Sequence, residues 1–296
     1  MNALTIGGSR KLSSVASKLR ENFERWNYRE VLLPAIERAG DSLDRGTKFS
    51  DGEEYYLIKP DITSQILTKL ENGNRYKLFY LSEVLDGGTS GEWQFGVEYI
   101  GGNQNLMIGE ILSAIITALE GLGIEDFFID VGSREVWESA TKEIPRAREE
   151  VFRALEQRSF DRVDELELPE DKREEIWQLF NYRARDPDYD RLNSVLKKVD
   201  DDRIFADFGT VRGLPYYEDL TFEIYSPEVG SPLGGGGEYR FGDEESCGFA
   251  FQLEELLELY KGNGIDERQQ ISCDAPSSLS TARKLVKEGE SLEVKK

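Results

Sequence analysis

Residues 212–225 read Arg-Gly-Leu-Pro-Tyr-Tyr-Glu-Asp-Leu-Thr-Phe-Glu-Ile-Tyr, and four consecutive glycines follow at residues 234–237. Apolar and polar residues alternate from Leu220 to Tyr225, which predicts a strand with one buried face. The glycine run has no Lys-Ser or Lys-Thr pair after it, so it lacks the signature of a phosphate-binding loop. This part of the chain therefore predicts sheet structure rather than a nucleotide-binding loop.

The chain before this stretch mixes helices and strands. Apolar residues at helical spacing predict a helix from Ser13 to Trp26, and a strand is predicted from Tyr28 to Ile36. Strand candidates at Arg75–Leu85 and Trp93–Ile100 flank a glycine-rich loop, which is typical of an antiparallel hairpin. Residues from about 135 to 200 are helical in pattern and rich in Arg-Glu spacing, which predicts a helical insertion. We predict an α+β fold with a mostly antiparallel sheet flanked by helices.

Two regions are predicted. Residues 1–260 form the core with its insertion, and strands near Ile204–Phe208 and Glu238–Phe241 and a helix at Phe251–Tyr260 complete it. Residues 261–296 hold a strand, a helix and a last strand in order, which predicts a short C-terminal β-α-β stub.

The amino-acid composition excludes several classes of function and partner. The chain has 37 basic and 58 acidic residues among 296, a formal net charge of -21, which opposes a nucleic-acid partner. It contains no histidine, so imidazole general bases and histidine metal ligands are excluded. Cys247 and Cys273 are too few for a disulfide framework or a zinc site. No apolar run reaches the length of a membrane span. We expect a cytoplasmic protein with no metal, no cofactor and no membrane partner.

Several segments resemble those of class II aminoacyl-tRNA synthetases, and of histidyl-tRNA synthetase in particular. The helix and strand that end at Pro34 resemble motif 1, and residues 247–256 resemble motif 3. The resemblance covers most of the chain and implies a class II synthetase-like core. Because motif 1 of that family packs at a two-fold interface, it also implies a homodimer formed through this region.

The resemblance also implies a pocket for L-histidine. In the family the glycine run lies on the sheet floor, where a bulkier residue would block the pocket. Singly, each of the matching residues has a plainer explanation, such as a helix cap, an exposed strand charge or aromatic packing. Together the family pattern assigns Asp61, Thr63 and Gln94 to the α-amino group, Glu98 to the imidazole, Arg212 to the carboxylate, and Tyr216 and Tyr217 to the walls around the ring.

Two departures from the family pattern concern ATP. Activation of an amino acid needs cations on the ATP phosphates, and the family supplies arginines in motifs 2 and 3. Asp86 stands at the motif 2 position and Glu255 at the motif 3 position. Residues 83–93 contain no arginine at all, so a shift of one residue in the comparison changes nothing. We therefore expect a pocket without activation chemistry and no catalytic residue.

A histidyl-tRNA synthetase-like chain without activation chemistry is similar to the regulatory subunits of ATP phosphoribosyltransferase. That resemblance implies a hetero-oligomer with a short catalytic subunit, which joins ATP to phosphoribosyl pyrophosphate in the first step of histidine biosynthesis under histidine feedback. Residues 261–296 are too few for a complete anticodon-binding domain. Two alternatives remain open, namely a histidine-activating ligase-like enzyme and a free-standing amino-acid sensor. The feedback site is either this pocket or a subunit interface.

Overall fold

A computed structural model describes residues 5–38, 47–58, 61–71, 73–85, 91–210, 217–262, 269–272, 278–290 and 292–295. The described residues divide into two compact units. The larger unit runs from Val15 to Lys261 and holds every predicted pocket residue that the structure describes. The smaller unit combines residues 5–14 with the described residues from Gly262 onward.

A mixed sheet of nine strands forms the centre of the larger unit. Its strands are β1 (Arg29–Glu30), β5 (Tyr76–Val84), β6 (Glu92–Ile100), β7 (Phe128–Ser133), β8 (Arg183–Ala184), β9 (Ile204–Asp207), β10 (Tyr217–Tyr225), β11 (Gly234–Phe241) and β12 (Glu244–Gln252). They lie in the order β1-β5-β6-β12-β11-β10-β7-β9-β8, and only the β1-β5 and β7-β9 pairs are parallel. The predicted α+β class with a mostly antiparallel sheet is confirmed.

Two smaller sheets are also present among the described residues. The strands β2 (Ile36–Arg38), β3 (Thr47–Ser50) and β4 (Tyr55–Ile58) form an antiparallel sheet in the order β2-β4-β3. In the smaller unit, β13 (Gln269–Ser272) and β14 (Leu292–Lys295) pair in parallel. The helix α10 (Ser278–Lys287) lies between them in the chain.

The remaining helices surround the large sheet or form the insertion. They are α1 (Ile6–Arg25), α2 (Ile62–Leu67), α3 (Gln104–Gly121), α4 (Arg134–Ala140), α5 (Arg148–Glu156), α6 (Asp161–Asp164), α7 (Glu170–Phe180), α8 (Asp190–Val199) and α9 (Leu253–Leu259). None of the helices described is both long enough and apolar enough to cross a membrane.

One face of the large sheet is buried behind helices α1 and α3. Phe23 of α1 packs with its ring centroid 5.5 Å from that of Phe95 and 5.7 Å from that of Phe249. Helix α3 begins at an Asn103 cap, whose side chain accepts from the Leu106 backbone N–H, and buries most of its apolar residues. Burial of this aromatic and aliphatic layer stabilises the sheet from this side.

Three local expectations differ from the structure. The strand expected at Tyr28–Ile36 consists of only two short segments, β1 and the start of β2. The glycine run is itself the first half of β11, and β12 continues to Gln252, where a helix from Phe251 was expected. Apolar runs such as residues 247–251 fit a buried strand as well as a helix, because neither period is resolved over so few residues.

Candidate functional site

Two residues of the glycine run, Gly235 and Gly237, form the floor of the sheet face that lies opposite α1 and α3. Gly237 of β11 pairs with Gly248 of β12, and Gly248 pairs with Glu98 of β6. A Cβ atom on Gly248 would lie 2.1 Å from the Glu98 Oε2 atom, and one on Gly237 would lie 3.0 Å from the Tyr217 ring. Side chains at these two positions would therefore collide with the pocket residues, which explains the glycines physically.

Glu98 and Tyr217 lie side by side on this floor. The Tyr217 ring covers Gly237, and the Glu98 carboxylate covers Gly248, the residue paired with Gly237 on the next strand. Adjacent strands are about 4.8 Å apart, so a planar ring can contact both groups at once. The chain thus brings together an acidic acceptor and an aromatic ring from positions 119 residues apart in the sequence.

The Glu98 carboxylate is buried and held at both oxygens. It is 2% exposed, the Thr63 hydroxyl donates to Oε1 at 2.5 Å, and the Tyr239 hydroxyl donates to Oε2 at 2.7 Å. Burial raises its pKa to about 7, although the hydrogen bonds from Thr63 and Tyr239 lower the pKa, and nearby Asp61 raises it further. The group is therefore poised to change protonation state near neutral pH when a ligand nitrogen approaches.

Asp61 and Thr63 enter the site at the start of α2. The Asp61 side chain is the N-cap of this helix and accepts from the Ser64 backbone N–H at 3.4 Å and the Ser64 hydroxyl at 2.6 Å. Thr63, which the family pattern assigns to the α-amino group, contacts Glu98 in this structure. Asp61 therefore acts as a helix cap and also adds negative charge beside Glu98.

Gln94 lies further along β6 on the same face as Glu98, as the four-residue spacing predicts. Its side-chain amide lies 3.5 Å from the Gln252 side-chain oxygen on β12. Gln94 is thus separated from Glu98 by one intervening residue on this face, Gly96, whose position is covered by the Tyr80 ring. Arg212 and Tyr216 lie outside the described residues, as does Asp86.

On the central strands β5, β6, β12, β11, β10 and β7, the described positions of this face carry no lysine or arginine, whereas the edge strands carry Arg29, which pairs with Leu78, and Arg183, which pairs with Asp207. By register, the first row is Leu78, Glu98, Gly248, Gly237, Thr221 and Gly132; the second is Tyr80, Gly96, Ala250, Gly235, Glu223 and Asp130; and the third includes Ser82, Gln94 and Gln252. The acidic Glu255 stands in the first turn of α9, directly after β12. On the central strands, a triphosphate would meet carboxylates instead of cations.

Two arginines of the insertion lie at the edge of this face, Arg158 after α5 and Arg183 on β8, and both are paired with carboxylates. Arg158 contacts Glu223, and Arg183 donates from Nε to Asp130 Oδ1 at 3.0 Å. Burial raises the pKa of Asp130 to about 6, nearby Asp207 raises it further, and Arg183 lowers it. The positive charges of Arg158 and Arg183 are therefore matched by acidic groups already in place.

Tyr239 is the pocket residue that the sequence reasoning missed. It follows Gly235 and Gly237 at a spacing of two along β11, so the strand period places all three on one face. That spacing could have identified it, but only once the glycine run is recognised as strand. Among the described residues, no group of three or more acidic or cysteine side chains is arranged to hold a metal ion.

Comparison with known proteins agrees with this geometry. The chain is 26% identical to a histidine–tRNA ligase of Methanocaldococcus jannaschii, over 96% of this chain and 82% of that protein. It is 28% identical to an ATP phosphoribosyltransferase regulatory subunit of Caldanaerobacter subterraneus subsp. tengcongensis, over 82% of this chain and 77% of that protein. Both kinds of relative therefore match the chain at similar identity.

Solved structures show the same fold. An ATP phosphoribosyltransferase regulatory subunit/histidyl-tRNA synthetase from Bacillus halodurans C superposes with a TM-score of 0.80 at 19% identity, covering 100% of this chain and 91% of that one. A chain of the ATP phosphoribosyl transferase (HisG:HisZ) complex from Thermotoga maritima gives a TM-score of 0.68 at 19% identity, covering 82% of this chain and 97% of that one. The family model described as histidyl-tRNA synthetase matches residues 7–256. The chain therefore belongs to the histidyl-tRNA synthetase family.

Proposed function

We propose that the chain is a non-catalytic regulatory subunit of ATP phosphoribosyltransferase that binds L-histidine on the glycine floor. The observation that carries the proposal is the placement of Glu98 and Tyr217 over two neighbouring glycines, on a face whose described positions on the central strands β5, β6, β12, β11, β10 and β7 bear no lysine or arginine. A pocket of this kind suits an amino acid with a ring nitrogen and does not suit a triphosphate. The named regulatory-subunit relatives support the same assignment.

The polar groups fit the chemistry of histidine. An imidazole N–H can donate to Glu98, whose orientation Thr63 and Tyr239 already fix. The ring can pack against Tyr217, and the ammonium group can approach Asp61 and Gln94. Arg212 and Tyr216 remain predicted partners of the carboxylate and the ring. Preorganisation of Glu98 lowers the cost of binding, because little side-chain freedom is lost when the ligand arrives.

Binding can be measured at single residues. Glu98→Ala and Tyr217→Phe should each weaken L-histidine binding by roughly 1–3 kcal/mol if each side chain makes a buried polar contact. Isothermal titration calorimetry with L-histidine measures this directly. Unchanged affinity in both variants would mean that histidine binds elsewhere, for example at a subunit interface.

The proposed assembly has two parts. The chain would bind the short catalytic subunit of the transferase and would pair with a second copy of itself through the motif 1-like region. Exposed apolar side chains in and beside that region support the second contact, because Leu32 is 87% exposed, Tyr55 67% and Ile36 50%. The acidic surface and the absence of a described cation on the pocket floor give no support to a nucleic-acid partner.

Histidine activation is the second candidate function, because the relatives named histidine–tRNA ligase match the chain as well as the regulatory subunits do. Histidine-dependent exchange of pyrophosphate into ATP separates the two functions. Robust exchange would contradict the regulatory proposal, whereas histidine binding without exchange agrees with it. A free-standing sensor, the third alternative, would not form a complex with the short catalytic subunit on size-exclusion chromatography.

A further inference from the structure

A half-buried arginine, Arg191, connects the helical insertion to the strands behind the pocket floor. Arg191 of α8 donates from Nη1 to Asp219 Oδ2 at 2.5 Å and from Nη2 to Glu238 Oε1 at 2.5 Å. Its Nε donates to Asn105 of α3 at 3.0 Å. One side chain thus joins the insertion, helix α3 and two neighbouring strands of the sheet. The planar guanidinium group of arginine presents several N–H donors in fixed directions, so it can pair with two carboxylates at once.

The two carboxylates lie at an irregular point of the sheet. Tyr217 pairs with Tyr239, and Thr221 pairs with Gly237, so β10 contains three residues where β11 contains only Glu238. The Leu220 backbone N–H lies in this bulge and donates to Glu238 Oε2 at 3.1 Å. The Glu238 side chain therefore satisfies a backbone group that the bulge removes from the regular ladder.

Glu238 has no exposed surface, and its charge partner Arg191 is only partly exposed. Burial raises the pKa of Glu238 to about 7, and Arg191 lowers it. Asp219 is fixed on its other side as well, because it accepts from the Ser133 hydroxyl at 2.6 Å and the Glu135 backbone N–H at 3.1 Å. Loss of one partner from such a buried pair leaves an uncompensated charge and forces the strands to rearrange.

We propose that Arg191 is a positioning residue of the pocket, which acts through Asp219 and Glu238 to fix the bulge between Tyr217 and Thr221. Tyr217 stands at one end of this bulge, and Tyr239, the donor to Glu98, directly follows Glu238 in the chain. The insertion then controls where the aromatic wall and the Glu98 donor lie. The consequence for histidine affinity rests on the proposed function, whereas the fixing of the bulge does not.

The test compares Arg191→Met with Arg203→Met in the full-length chain. Arg203 is a matched control, because it also pairs with two carboxylates, Asp201 at 2.6 Å and Glu120 at 2.7 Å, and its side chain is 25% exposed against 21% for Arg191. Backbone hydrogen exchange at residues 217–225 reports the bulge without any ligand. Calorimetric titration with L-histidine reports the pocket.

In Arg191→Met, we expect exchange of the Leu220 amide to rise at least about 10-fold and histidine affinity to fall about 10-fold. In Arg203→Met both should remain at the wild-type values. Arg191→Lys keeps the charge but loses the planar guanidinium group, so its exchange rate and its histidine affinity should lie between those of Arg191→Met and wild type. If Arg191→Met does not fold, Arg191→Lys takes its place in the test. Wild-type exchange at Leu220 in both Arg191 variants, or an equal rise in Arg203→Met, would overturn the proposal. If the wild-type chain does not bind histidine, the proposed function is refuted. The hydrogen-exchange result at Leu220 then decides by itself whether Arg191 fixes the bulge.

Discussion

Replacement of Glu98 by glutamine should make the protein more stable above neutral pH, because it removes a buried negative charge. Burial raises the pKa of Glu98 from its ordinary value of 4.5 to about 7 in the folded state. Because the folded protein binds this proton more tightly than the unfolded chain does, the contribution of Glu98 to stability falls as pH rises from 4.5 to 7. Above pH 7 the full cost of the buried charge is present.

The magnitude follows from the same two values. The difference between 4.5 and about 7 corresponds to about 3 kcal/mol, at about 1.36 kcal/mol per pH unit. Glutamine keeps the hydrogen bonds, since its oxygen can accept from the Thr63 hydroxyl and its amide can donate to the Tyr239 hydroxyl. Glu98→Gln should therefore raise the free energy of unfolding by up to about 3 kcal/mol at pH 8 and by almost nothing at pH 4.5.

Urea unfolding of wild type and Glu98→Gln between pH 4.5 and 8 measures this difference. Glu238 and Asp130 titrate in the same window, so only the difference between the two proteins isolates Glu98. Glu92→Gln, an exposed position on the same strand, is the control and should stay within about 0.5 kcal/mol of wild type. A stability difference that does not grow with pH, or that grows as pH falls, would refute the argument that Glu98 is a buried charge maintained for binding.

Three further predictions concern the floor, the edge of the pocket and the dimer. Gly248→Ala should weaken histidine binding at least about 10-fold by calorimetry, because its Cβ would displace the Glu98 carboxylate. Gly230 has open space around it, so Gly230→Ala should bind histidine as wild type does. Normal binding by Gly248→Ala would contradict the assignment of the glycines as the floor of the histidine pocket. Asp130→Asn should raise the free energy of unfolding more at pH 8 than at pH 5, since burial raises the pKa of Asp130 to about 6, and a constant difference across urea titrations would contradict this sign. Leu32→Glu should convert a dimer to monomers by light scattering, whereas a dimer that persists would place the interface elsewhere.

Local sequence patterns predict the parts of the site that depend on short spacing. The Gln94–Glu98 spacing places both side chains on one face of β6, and Asp61 followed by Thr63 marks the start of α2. Strand alternation at residues 220–225 predicts β10. These features need only the two-residue period of a strand or the chemistry of a helix cap, which the sequence contains directly.

Local sequence patterns do not predict contacts between segments that are far apart in the chain. The Tyr239 hydroxyl meets Glu98 across 141 residues, and that pairing depends on the register of three neighbouring strands. In the sequence, Arg191 is one of many charged residues of the predicted insertion, but in the structure it is the charge partner of the buried Glu238. A one-residue change of register would move each of these side chains to the other face, so only the assembled sheet determines them.

The proposed function requires that this chain regulate a separate catalytic subunit in response to histidine. The direct measurement is the rate of ATP phosphoribosyl transfer by a short catalytic subunit alone, with this chain, and with this chain plus L-histidine, repeated with Glu98→Ala. We expect that the chain raises the rate, that histidine lowers it again, and that Glu98→Ala needs at least about 10-fold more histidine for the same inhibition. A transferase rate that this chain leaves unchanged, with or without histidine, would contradict the proposed function.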